Sequence, residues 1–174
     1  MTTLPTRLES SDWEPLVDIL RNELQEYGGL FNLLGQQQDR IIERKPDAVL
    51  SINDEIEVQT RTVADLRGRR ETCVDDLLAR VDQPTPGSLR KLIPHLPEFV
   101  QPLVEALMTD INHMVRRNRH KARQNHLLLS RAVQLTEETL RVLQPENFTR
   151  TYGRSGRASL PARSGAVSRY NAIG

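Results

Sequence analysis

Three apolar seams, each stepping alternately by three and four residues, constrain this chain more than anything else in it. The first runs Trp13, Val17, Leu20, Leu24, Tyr27, Phe31, Leu34, then Gln38 and Ile41. The second runs Val49, Ile52, Ile56, Gln59, Val63, Leu66, Arg70, Cys73, Leu77. The third begins Val100, Val104, Leu107, Ile111, Met114 and passes through Asn118, Lys121 and Asn125. It resumes at Leu128, Ala132, Leu135, Thr139 and Val142. This step is the heptad rhythm of helices that bury a narrow stripe against one another.

Proline and glycine divide the seams. Asp12 or Ser11 is a fitting N-cap, and Pro15 is tolerated in a first turn. Gly28, Gly29 and Gly35 each weaken the first helix by about 1 kcal/mol relative to alanine, so its stability must come from packing. Lys45-Pro46-Asp47 bends or ends it, because proline disfavours helix at the residue before it. The run Asp82-Gln83-Pro84-Thr85-Pro86-Gly87-Ser88 ends the second helix near Val81. Pro94 and Pro97 bracket a turn, and Pro145 stops the last helix. The expectation is an all-α, elongated antiparallel coiled-coil bundle of three long helices, with one short extra helix. The helices fall at about 13–44, 47–81, 88–93 and 97–143. A polar lead (1–12) precedes the body (13–146), and a flexible basic tail (147–174) follows it. With no 20–50-residue repeat, this is a short bundle and not a solenoid.

Composition agrees. Aromatic residues are only 4% of 174 residues, against 37% hydrophobic and 27% charged, which suits thin helical packing rather than a thick globular core. All 23 acidic residues lie at or before Glu146. Beyond it stand Arg150, Arg154, Arg157, Arg163 and Arg169 with no acid, so a body of net charge −4 carries a tail of +5. No apolar run approaches the roughly 20 residues of a membrane span. The start Met1-Thr2-Thr3-Leu4-Pro5 lacks the pattern of a secretory signal, and the single cysteine has no internal partner. These features lead to the expectation of a cytoplasmic protein without membrane insertion.

Catalytic chemistry finds no footing. His95, His113, His120 and His126 form no His-Glu-x-x-His motif, and no second cysteine is present. His113 and His120 are seven apart and read best as solvated surface histidines. Cys73, on a seam, reads as a buried inert thiol. Gly28-Gly29 lacks both the Walker lysine and a preceding strand. Carboxylates such as Glu55, Glu57, Glu137 and Glu138 are spread along polar faces, and no Glu-x-x-His motif supplies a di-metal centre. The expectation is a protein that is not an enzyme, with no catalytic residues, metal or cofactor.

Arg116, Arg117, Arg119, Lys121 and Arg123 lie within eight residues. Such a run can neutralise phosphates. It can equally be a solvated helix segment facing Asp39, Glu43, Asp54 and Glu55. Five basic residues splay around a helix, and stacking aromatics are absent nearby, which argues against nucleic acid. A basic helical hairpin that binds nucleic acid and a self-associating coiled-coil scaffold stand as the alternative readings.

Several stretches carry a likeness to a known family. Leu20–Glu43 is a Leu-rich helix containing Leu33-Leu34-Gly35-Gln36-Gln37-Gln38-Asp39. Asp54–Leu78 contains Leu66-Arg67-Gly68-Arg69-Arg70-Glu71 ahead of its last turns. Asn118–Leu143 contains Asn125-His126-Leu127-Leu128-Leu129. After a gap comes Thr151-Tyr152-Gly153-Arg154-Ser155-Gly156. In their order and spacing these stretches resemble the FlgN-type flagellar export chaperones. The resemblance implies a cytoplasmic chaperone for hook-associated (hook–filament junction) proteins. Such a chaperone binds the client's C-terminal helical region, prevents premature assembly and delivers it to the flagellar type III export gate. The family's Tyr-Gly element carries over to Tyr152 and Gly153 as the gate-docking residues.

A physical version of the same reading follows from the third seam. If the last helix outruns its two shorter partners, part of its apolar face has nothing internal to cover it, and an uncovered stripe receives another amphipathic helix. The expected client-binding residues are Asn125, Leu128, Leu129, Ala132, Leu135 and Val142, with the tail folding over the bound helices.

Overall fold

In a computed structural model the chain is described over residues 8–143. It forms α1 (Ser10–Ile42), α2 (Pro46–Arg80), α3 (Leu89–Leu92), a 3-10 turn (Ile93–His95) and α4 (Gln101–Leu143). Among the described residues there is no strand. Helix α1 starts three residues before the expected position. Asp12 caps from inside the first turn, its carboxylate accepting the Glu9 N–H at 2.9 Å. The helix runs unbroken through Gly28, Gly29 and Gly35. It ends at Ile42, where Arg44 takes a left-handed φ of 55°. The Arg44 and Lys45 amides bond back to the Ile41 and Arg40 carbonyls. Pro46 then opens α2 as a first-turn proline, so the Lys45-Pro46 step reverses the chain instead of bending a helix.

The cross-helix contacts set directions. Gln37 meets Asn53, Glu26 meets Gln59, Glu23 meets Arg70 and Asp12 meets Arg80, so α2 runs antiparallel to α1. Asn118 meets Tyr27 and Asn125 meets Leu34, so α4 runs parallel to α1 with a constant offset of 91 residues. Two of the three long helices are thus parallel, as an up-down-up path requires.

Between α2 and α4 the chain folds back on itself. The Gln83 amide bonds to the Leu78 carbonyl at 2.9 Å, and the Gly87 amide to Asp75 Oδ1 at 2.8 Å. A Cβ on Gly87 would stand 2.1 Å from Leu78 Cδ1, so a larger residue here would require the buried Leu78 side chain to shift. The fold-back delivers Leu89, Leu92, Ile93 and Leu96 to the base of the bundle. There they join Leu16, Val17, Leu20, Val74, Leu77, Leu78, Val100, Val104, Leu107 and Ile111 in one apolar cluster. Leu16, Leu20, Leu78, Leu92 and Val104 are fully buried, each contributing about 1.5–3 kcal/mol by leaving water. The turn that precedes α4 is longer than expected. Helix α4 begins at Gln101 and not at Pro97, whose carbonyl instead accepts the Val100 amide.

Candidate partner-binding surface

Above Ile111 the interior changes character. At the seam positions where α4 turns polar, its side chains bond to α1. Asn118 Nδ2 donates to the Tyr27 carbonyl at 3.0 Å, and Asn125 Nδ2 donates to the Leu34 carbonyl at 2.7 Å. Asn125 also donates to Gln37 Oε1 at 2.7 Å, and Gln37 Nε2 donates to Asn53 Oδ1 at 2.7 Å, which ties all three long helices together. Lys121 bonds Gln38 between the two asparagines. Asparagine suits this role because its amide hydrogens reach a helix carbonyl that already accepts one bond and has a second lone pair.

A buried carboxylate sits between the apolar base and the asparagines. Glu23 is 1% exposed, with Arg70 Nε at 3.4 Å. Burial pushes its carboxyl above the ordinary range, while Arg70 and Arg67 pull it back only in part. The phenol of Tyr27 is pushed up by its own burial and then by the Glu23 charge. Arg70 stands on the second seam, which was the one sequence signal that a buried acid faces it.

The basic run divides in two, and its expected pairing is not made. Arg117 lies over the Phe31 ring at 4.3 Å, and Lys121 turns to Gln38, so both serve the α1–α4 interface. Arg116, Arg119 and Arg123 are exposed. Among the described residues none of the five pairs with Asp39, Glu43, Asp54 or Glu55; Glu43 instead bridges Arg40 and Lys45. Cys73 is half-buried against the apolar base, and burial raises its thiol above the ordinary value. Among the described residues no three metal-ligating side chains cluster, and no helix is long and apolar enough to cross a membrane.

The chain divides into two compact units, one ending at Ala132 and one starting at Val133. In the first, Asn125 is 3% exposed and engaged with α1, so it belongs to the interior and not to an outward-facing surface. Leu128 and Ala132 are half-buried, and Leu129 is exposed. In the second, every residue from Val133 to Leu143 is exposed, including the large apolar side chains of Val133, Leu135, Leu140, Val142 and Leu143. Their spacing along a helix makes a broad apolar stripe and leaves Gln134, Glu138 and Arg141 on another face. Tyr152 and Gly153 lie outside the described residues.

A search of curated proteins and a search of solved structures each return no match. A family model described as FlgN protein matches residues 13–159, which takes in all of α1 to α4 from Trp13 onward and the Tyr152-Gly153 element. The chain belongs to the FlgN family, a family of non-enzymatic flagellar export chaperones.

Proposed function

We propose that the chain is a cytoplasmic export chaperone that holds the C-terminal helical region of a hook-associated protein on the last turns of α4. It keeps that region from assembling early and delivers it to the flagellar type III export gate. Family membership supports the class of client. The observation that carries the place of binding is the run of exposed apolar side chains, with Leu135 57% and Val142 81% exposed. An amphipathic client helix laid along these residues buries apolar surface on both partners, at about 25 cal/mol per Å². Leu128, Leu129 and Ala132 stand earlier on the same helix and extend the apolar character of the grip. Asn125 is left out of it, because its amide already serves α1.

Tyr152 and Gly153 are proposed as the gate-docking element, on the strength of the family's Tyr-Gly pattern alone. The grip and the dock are then separable. Leu135→Asp with Val142→Asp should abolish co-purification of the hook-associated protein while circular dichroism stays unchanged. Tyr152→Ala should spare the client and weaken binding to the export gate. Client retention by the double aspartate variant, or loss of both activities with Tyr152→Ala, contradicts this division.

A further inference from the structure

The last turns of α4 carry two apolar ridges and not one. Val133 and Leu140 are seven residues apart, and so are Leu135 and Val142. Seven residues are almost two full turns, so each pair stacks along the helix. The two pairs do not stack on each other. At about 100° per residue they stand about 160° apart round the helix, and Leu143 and Thr139 fall in the arc between them. Gln134, Glu137, Glu138 and Arg141 occupy the other side. The apolar arc of Val133–Leu143 thus takes in about half of the circumference.

Both ridges are open. Val133 and Leu140 are 50% and 42% exposed, and Leu135 and Val142 are 57% and 81% exposed, so neither pair is spent on packing among the described residues. The arc between them is ready to be covered as well. The Thr139 hydroxyl donates to the Leu135 carbonyl at 2.7 Å, within its own helix. An apolar partner can therefore lie over Thr139 without stranding its donor.

We propose that two helical segments of one client chain straddle the end of α4, one on the Val133–Leu140 ridge and one on the Leu135–Val142 ridge. Binding by two segments rests on the reading of these turns as the client grip. Family membership supplies the class of occupant, and the width of the apolar arc supplies the number. A single helix laid along another meets one narrow seam, as in a two-stranded coiled coil. With one helix on Leu135 and Val142, Val133 and Leu140 point past it and stay in water. Two segments close over both ridges, meet over Leu143 and Thr139, and leave Glu137, Glu138 and Arg141 in solvent. From Val133 to Leu143 the helix is about 15 Å long at 1.5 Å per residue, so each segment contributes about three turns.

The full-length chain in a Cys73→Ser background receives one new cysteine, Val133→Cys or Leu135→Cys. Each is labelled with a benzophenone maleimide and irradiated with a purified full-length hook-associated protein. Peptide mapping should place the two crosslinks in different helical segments of one client chain, in a complex that sediments as one chaperone with one client. Val133→Asp with Leu140→Asp should weaken client binding by about tenfold or more, with circular dichroism unchanged. Crosslinks from both positions to one segment, or unchanged affinity in the Val133/Leu140 variant, overturn the two-segment arrangement and leave the client grip standing. Crosslinks from either position to a second copy of the chaperone, or to its own residues 144–174, overturn it by giving that ridge another occupant. Full client affinity with Leu135→Asp and Val142→Asp, and no client crosslink from either position, overturn the grip itself and the two-segment arrangement with it.

Discussion

The base of the bundle packs aliphatic side chains from every element, whereas its upper half adds hydrogen-bonding side chains of α4 to the buried Leu34, Ile41, Val49, Ile52 and Val63. At the base, α1, α2 and α4 close over leucines and valines contributed by every element, with the fold-back through α3 as a plug. In the upper half the same seam positions carry Asn118, Lys121 and Asn125, which hold α4 to α1 by hydrogen bonds. Apolar burial is strong but tolerates sliding. A side-chain amide aimed at one carbonyl holds only at one register and adds about 0.5–1.5 kcal/mol net. The base therefore holds the larger apolar cluster, and the amides of the upper half fix how α4 is set against α1. Polar residues at seam positions specify register in coiled coils at a cost in stability, and this pair, seven residues apart, does the same.

The contrast breaks most visibly at the base. Leu92→Ala, at a fully buried site, should cost about 2–5 kcal/mol in chemical denaturation, because it removes apolar contact and leaves a cavity. Asn125→Ala should cost less, about 1–3 kcal/mol, by taking from the half-buried Gln37 oxygen and the Leu34 carbonyl the amide that bonds both. If the two variants lose equal stability, the division between base and upper half fails. Gly28→Ala should have a smaller effect of opposite sign. Its Cβ meets no neighbour, so thermal melting should show stabilisation by roughly 0.5–1 kcal/mol.

A pH effect sharpens the boundary between the halves. The Glu23 carboxyl titrates above its ordinary value of 4.5 in the folded chain, chiefly through burial. The folded state therefore holds that proton more tightly than the unfolded state. The stabilisation this group provides is complete below 4.5 and is lost as pH rises through the raised folded value. Glu43 and Glu71, both lowered by hydrogen bonds to neighbouring cations, act with the opposite sign at lower pH. Denaturation of Glu23→Gln alongside the unaltered chain isolates the buried group. The variant should lose less stability over the window just above pH 4.5, and parallel profiles would remove Glu23 from the account.

The heptad seams made the three long helices legible from residues alone, and the prolines placed their ends to within a few residues. The polar stretch in α4 was visible too, but not its purpose. Asn118 and Asn125 bond to backbone carbonyls of another helix, and no pairing of side-chain types announces such a partner. The basic run was legible as a solvated face, but the partners of Arg117 and Lys121 were not, for a related reason. A helix face that looked bound for acidic neighbours instead put Arg117 on an aromatic ring, because Phe31 lay at the matching register. Asn125 was grouped with the outward leucines because heptad spacing alone does not tell a buried amide from a docking residue. Leu135 and Val142 are exposed, and heptad spacing does not distinguish an open seam position from a covered one.

Hydrogen exchange along α4, with and without a hook-associated protein, tests the account most directly. In the free chain, protection should fall from the segment around Val104–Ile111 to that around Asn118–Asn125 and be lowest over Val133–Leu143, following the change from apolar burial to hydrogen bonding to exposure. Added client should protect Val133–Leu143 and leave Val104–Ile111 unchanged. Uniform protection along the free helix, or client-induced protection confined to the base, would contradict it.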